Sequence, residues 1–373
     1  MNNEKIILGE PFLPKLEEFI PYLEEIWSSR VLTNNGRFLK EFTVELQRYL
    51  NIENICVTAN GTLSLILALK TLNCTGKVIT TPYSFIATSN CLAFSNLEPI
   101  FVDIDPHTFN IDPANIERAI TEDTSAILAT HCYGSPCDVE AIQRIADKNN
   151  LKVIYDAAHA FGVNYDGESI TKYGDCSILS FHATKVFNTM EGGAVIFNDS
   201  SLDATAKKLR NFGITSETSI EMAGINAKMN EVAAALGLLQ LKHIQDVIDA
   251  RRQVAAAYLD GLSDIEGITI PCSHFVERTN ASYFPLLIES DCKISRDSLY
   301  TALKTDNIYS RRYFYPLISN TPMYRNYKSA QIDKLPIANA VSSMVLCLPI
   351  HSAMNSVQVL RIIDKIKEQM GGK

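Results

Sequence analysis

The chain has 373 residues, 46% of them hydrophobic and 20% charged, and a formal net charge of -8. That is enough apolar material for a large core, in about two domains, while an acidic balance without a long basic cluster argues against a surface that tracks nucleic-acid phosphates. No uninterrupted apolar stretch of about 18 residues appears, and the opening Met1-Asn2-Asn3-Glu4-Lys5 lacks the apolar segment of a signal peptide, so neither a membrane nor secretion is expected.

From about residue 54 to 200, short runs rich in branched residues alternate with helical patterns, which predicts a mainly parallel sheet covered by helices. The expected strands are Ile55 to Thr58, Lys77 to Thr80, Ile100 to Asp103, Ser125 to Thr130, Lys152 to Tyr155, Ser177 to Ser180 and Ala194 to Asn198. Leu63 to Leu72, Ser84 to Ser95, Pro113 to Ile120 and Val139 to Asn149 have the spacing of covering helices. Asn230 to Leu262 reads as one long helix, or as two joined near Gly237. A smaller C-terminal α+β unit follows, with strands at Tyr283 to Glu289 and Val345 to Pro349 and helices at Ser295 to Asp306 and Ser356 to Met370. The large domain is drawn over residues 1–245 and the small one over 246–373. The segment from Tyr309 to Tyr327 is the most aromatic and basic of the chain, suited to contact a sugar ring or a diphosphate or to form an aromatic hinge between domains.

Three features in chain order carry the chemistry. Asn60-Gly61-Thr62 ends the first strand and opens a helix, presenting free amides and a hydroxyl to an anion. Asp156 falls at the carboxyl end of a strand, where ligands bind in open α/β sheets, although an aspartate there also serves as a cap. Lys185, in Ser180-Phe181-His182-Ala183-Thr184-Lys185 and ahead of Glu191-Gly192-Gly193, has apolar and small neighbours. Partial burial would lower its pKa towards the neutral amine that attacks an aldehyde. An anion site, a carboxylate for a ring nitrogen and an amine for an aldehyde are together what pyridoxal phosphate requires.

With Thr81-Pro82-Tyr83-Ser84-Phe85, Asp156-Ala157-Ala158-His159, Lys228-Met229-Asn230-Glu231 and the closing Leu346-Cys347-Leu348-Pro349-Ile350-His351, these motifs resemble the DegT/DnrJ/EryC1/StrS sugar aminotransferases over nearly the whole chain. The resemblance implies fold type I of the pyridoxal phosphate enzymes: a large domain with a seven-stranded, mainly parallel sheet, a smaller α+β domain, and a homodimer with shared active sites. It makes Lys185 the Schiff-base lysine and acid/base, Asp156 the partner of the ring nitrogen, and His159 a hydrogen-bonding group near the phenolic oxygen. Phe85 would stack on the ring, Gly61, Thr62 and Ser180 would hold the phosphate, and Asn230 would reach the phosphate of the neighbouring subunit. For each a plainer role stands beside it: core for Phe85 and His159, a backbone-bonded hydroxyl for Ser180, a helix cap for Asn230. Arg312 and Tyr315 are the candidates for contact with a nucleotide sugar.

A lysine at 185, where a related dehydratase branch carries histidine, favours transamination: glutamate would leave its amine as pyridoxamine phosphate and a keto sugar would take it. The F-H-A-T-K wording is similar to the branch that aminates C4 of dTDP-4-keto-6-deoxyglucose. The gluco product is expected, with the galacto epimer and a C3-aminated sugar as alternatives. From other classes, a non-catalytic protein of the same fold would be expected to lack the lysine or the aspartate. A metal enzyme would have to use His131, Cys132, Cys137 and His159, whose spacing matches no common zinc pattern. A desulfurase would need a cysteine on a loop, for which Cys272 and Cys292 offer no recognisable setting. Nine cysteines, an odd number, sit mostly in apolar runs without C-x-x-C pairs and read as reduced thiols of a cytoplasmic protein.

Overall fold

The computed structural model describes residues 4–271 and 279–371; Cys272 and the first three residues, on which the sequence reading touched, lie outside them. Seven strands form one sheet in the order β1-β9-β8-β5-β4-β2-β3. They are β1 (Asn54–Thr58), β2 (Lys77–Thr80), β3 (Glu98–Phe101), β4 (Thr124–Thr130), β5 (Lys152–Asp156), β8 (Cys176–Ser180) and β9 (Gly193–Phe197). Every neighbouring pair from β8 to β3 is parallel, whereas β9 runs antiparallel to both β8 and β1. The seven expected strands are these seven, within two residues at each end. Two short hairpins, β6 (Asn164–Tyr165) with β7 (Glu168–Ser169) and β10 (Ile214–Ser216) with β11 (Ser219–Ile220), lie outside the sheet.

Helices cover both faces, as parallel strands buried on both sides demand. On one face α3 (Gly61–Thr71), α4 (Ala87–Phe94) and α7 (Ser200–Leu209) pack through Leu65, Leu69, Leu92 and Ala206. On the other, α1 (Leu16–Ser29), α2 (Arg37–Leu50) and α8 (Glu231–Leu262) bring Phe19, Phe42, Leu46 and Leu239 together, with α5 (Pro113–Ala119) and α6 (Val139–Asn149) alongside. α1, α2 and α7 were not among the expected elements.

α8 is one helix of 32 residues, not two. A Cβ on Gly237 would stand 2.6 Å from the Phe42 ring, so this glycine serves the close approach of α2 and α8 and does not break the helix. The division between residues 245 and 246 falls inside it. Side chains up to Ile248 join the core on the sheet, and those from Val254 onward join a second core with Phe284, Leu299, Leu346 and Ile362. That second core belongs to a three-stranded antiparallel sheet, β12 (Ile268–Thr269), β13 (Phe284–Ile288) and β14 (Val345–Leu348), backed by the helices Arg296–Thr305 and Ser356–Met370. A hydrophobic cluster with Tyr83, Tyr133, Phe314 and Leu317 ties the loops of the large sheet to this smaller unit. Among the described residues no helix is long and apolar enough to cross a membrane.

Candidate active site

β1, β8, β5 and β4 all end on the same edge of the sheet, and the predicted chemistry gathers there. After β1, Asn60 caps α3 by accepting a hydrogen bond from the Leu63 amide at 2.9 Å. The amides of Gly61 and Thr62 fall in the first turn and have no partner within the helix. A Cβ on Gly61 would stand 2.8 Å from Ser180 Cβ. Glycine is therefore what lets this helix N-terminus close on the end of β8.

Asp156 ends β5 and is 5% exposed. Its Oδ2 accepts from Thr88 Oγ1 at 2.7 Å and its Oδ1 from the Ala158 amide at 3.1 Å. Thr88 Oγ1 also contacts Ser84 Oγ at 2.7 Å, and Thr130 Oγ1 donates to Ser84 Oγ at 3.2 Å. Burial raises the carboxyl's pKa, with the Thr88 and Ala158 hydrogen bonds and the nearby Lys185 opposing. His159, 4% exposed, is pushed well below its ordinary pKa by burial and then by Lys185. It is a neutral imidazole whose Nδ1 finds no hydrogen-bond partner among the described residues. Its ring lies edge-on to Tyr283 with centroids 4.9 Å apart.

Lys185 sits in the loop between β8 and β9. The wholly buried Phe181 and Phe187 pack edge-on at 5.1 Å on either side of it, and the Phe181 amide bonds Gly192 O at 2.8 Å while the Thr189 amide bonds Phe181 O at 2.9 Å. The loop is thus pinned at both ends and the lysine projects between them, half-buried. Burial pulls its amine down to about 8, with Asp156 opposing.

Gly61, Thr62, Phe85, Asp156, His159, Ser180 and Lys185 all face one cavity of about 610 Å³. Phe85 is 56% exposed, a wall of that cavity and not the core residue its helical setting allowed. Asn230 lies elsewhere: it is exposed and caps α8, accepting from the Ala233 amide at 2.8 Å, which is its plainer role. Arg312 and Tyr315 also fall outside this cavity. The Arg312 guanidinium is held by Asp297 at 2.9 Å and lies over the rings of Tyr300 and Tyr315. Tyr283, Tyr313 and Phe314 line the cavity instead; Tyr313 and Phe314 lie in the segment flagged as aromatic and Tyr283 in an expected strand, but which rings turn inward depends on tertiary packing. Thr88 was missed as well, though a buried carboxylate needs donors and a threonine one turn beyond Ser84 could have been sought for that reason.

The metal alternative finds no support in the geometry. The His131 Nδ1 accepts from the Cys137 amide at 3.0 Å and Cys137 Sγ contacts Thr130 O, and no group of three or more potential ligands is arranged for a metal among the described residues.

The arrangement offers an anion a helix N-terminus, a ring nitrogen a buried carboxylate, and an aldehyde an amine poised to be neutral. Known proteins agree with that inventory. Residues 15–367 match the DegT/DnrJ/EryC1/StrS aminotransferase family. The chain is 48% identical to a dTDP-4-amino-4,6-dideoxy-D-glucose transaminase of Escherichia coli, over 99% of this chain and 100% of that protein. Among solved structures it is similar to DesI in the presence of its TDP-sugar product, with a TM-score of 0.93 and 33% identity over 98% of this chain and 93% of that one. It is also similar to NtdA of Bacillus subtilis with bound cofactor PMP, with a TM-score of 0.88 and 27% identity over 99% of this chain and 87% of that one.

Proposed function

Since the chain belongs to the DegT/DnrJ/EryC1/StrS aminotransferase family, we propose that it uses pyridoxal 5'-phosphate to move an amine from L-glutamate to C4 of dTDP-4-keto-6-deoxyglucose, giving dTDP-4-amino-4,6-dideoxyglucose. The observation that carries this reading is the convergence of Lys185, Asp156 and the α3 N-terminus on one cavity. The residues fit the cofactor. His159 Nδ1 is a buried polar atom on the cavity wall with no hydrogen-bond partner among the described residues, as expected of a group that awaits the phenolic oxygen. The close approach of Gly61 to Ser180 brings amides and a hydroxyl together, as a phosphate requires.

When bound, pyridoxal phosphate supplies an electrophilic carbonyl carbon and an electron-withdrawing ring that makes the proton on the substrate's amine-bearing carbon removable. The protein does the rest. Asp156, buried and oriented by Thr88 and Ala158, holds a proton at the ring nitrogen, and the pairing with that positive charge offsets the cost of its burial. Lys185, with a pKa of about 8, is neutral in an appreciable fraction near neutral pH, so its amine could first attack a carbonyl and then carry the proton from the substrate carbon to the cofactor carbon that had borne the carbonyl oxygen. Phe85 walls one side of the cavity, and His159, kept neutral by burial, hydrogen-bonds without adding charge.

The active form is a homodimer in the cytoplasm. In support, Phe85, Met190, Phe212 and Ile220 are exposed apolar side chains of the kind that subunit contact would cover, and most of the described cysteines are buried, as thiols kept reduced in the cytoplasm commonly are. Asn230, exposed at the α8 N-terminus, would reach the partner's cofactor phosphate. The large unit binds the cofactor and the small one completes the substrate site, the two meeting within α8.

Incubation with glutamate and dTDP-4-keto-6-deoxyglucose, followed by proton NMR of the sugar, tests the proposal. An amine at C4 in the gluco configuration is expected. An amine at C3, or the galacto epimer, would overturn the choice of product.

A further inference from the structure

A second cavity of about 470 Å³ adjoins the first, sharing Thr184, Tyr283 and Tyr313 with it. Lys5, Arg251, Lys304 and Arg311 line it, and none of the described residues that line it is acidic. Such a one-sided lining costs electrostatic free energy in the empty protein and lowers the free energy of an entering anion. Arg251 is buried and spends its Nε and Nη2 on the carbonyls of Ala281 and Ser282, at 3.0 and 2.8 Å, with no carboxylate among these partners. Ser310, 3% exposed, also lines the cavity, and its hydroxyl has no hydrogen-bond partner among the described residues. A buried hydroxyl left unbonded beside a cluster of cations marks the place of an absent acceptor.

We propose that this second cavity is the site for a substrate oxyanion, held by Arg311, Lys304 and the Ser310 hydroxyl, and that it orients the substrate whose other end reacts at Lys185. The shared wall at Thr184, next in sequence to the reacting lysine, sets the two spaces side by side. Under the proposed transamination, on which this identification of the ligand rests, the oxyanion is either a carboxylate of the amine donor or the diphosphate of the sugar nucleotide.

The side chains of Arg311 and Lys304 are exposed, so their removal leaves the core intact. Isothermal titration of the purified holoenzyme with glutarate, a dicarboxylate with no amine to react, and separately with dTDP, is compared among the wild type, Arg311→Ala, Lys304→Ala and Arg144→Ala, whose exposed arginine lines neither cavity. The inference expects both cavity variants to weaken at least one ligand by about tenfold or more, with Arg144→Ala matching the wild type. Loss confined to glutarate assigns the cavity to the donor, loss confined to dTDP assigns it to the nucleotide, and loss of both means the two share it. Wild-type affinities retained in both cavity variants, or no binding of either ligand to the wild type, overturns the inference. No turnover is read, so an error in the proposed position or epimer of the amine would leave this result standing.

Discussion

Lys185 and Asp156 could be found in the sequence because each stands in a run whose neighbours already imply burial. The structure adds what tunes them. Desolvation pulls the Lys185 amine from 10.5 to about 8, so the nucleophilic form appears as pH rises through 8. The rate at which cofactor-free protein recombines with pyridoxal phosphate should rise through a midpoint near that pH, and a midpoint near 10.5 would show an ordinary solvated lysine. Thr88→Val removes the hydroxyl donor to Asp156 Oδ2. The unpaired buried oxygen costs roughly 1–3 kcal/mol and raises the carboxyl's proton affinity further, so it holds the protonated ring nitrogen less well. Spectroscopic titration is expected to show about tenfold weaker cofactor binding; an unchanged constant would mean the hydroxyl only fills space. Arg311 and Arg312 mark where residue-level reading ends. They are adjacent and chemically identical, and what separates them is the pairing of the Arg311 backbone with Cys347 and the capture of Arg312 by Asp297, neither of which spacing reveals.

Among the elements, the strands of the large sheet were legible because parallel strands buried on both faces are continuous apolar runs. α1 and α2 escaped because their polar faces dilute that signal, and their apolar side chains find their use only in tertiary contact, against α8 and, for Phe42, against Phe181 and Phe187. Gly237 gave the long helix its second reading, as two helices joined there, because glycine weakens a helix, yet its value lies in contact with Phe42. Gly61 is the same kind of residue at the site. Gly61→Ala would push α3 from β8, since the added carbon meets Ser180 Cβ at 2.8 Å. We expect about 1–3 kcal/mol of lost stability and a weaker hold on the cofactor phosphate, read by thermal unfolding with and without cofactor. Equal destabilisation in both conditions would limit Gly61 to packing. At α8, Asn230→Ser keeps a capping oxygen while shortening the reach across the subunit boundary. Preserved stability with weakened cofactor binding supports the proposed contact with the partner's phosphate, and no change in binding assigns Asn230 to capping alone.

For the whole molecule, the first cavity lay within sight of the sequence because its main residues follow strands in regular order. The second did not, because it is assembled from the N-terminal segment, α8, the chain leading into β13 and the stretch from Tyr300 to Tyr313, brought together only by the docking of the small unit. Sedimentation of dilute protein should give twice the mass of one chain, and a persistent monomer with full activity would remove the shared-site proposal. The central claim, that this cavity runs both halves of a transamination, is tested most directly by the visible spectrum of the protein loaded with pyridoxal phosphate. The account predicts a yellow absorbance that bleaches with glutamate and returns when dTDP-4-keto-6-deoxyglucose is added. A protein that shows no yellow absorbance, or whose spectrum is the same after Lys185→Ala, would contradict it.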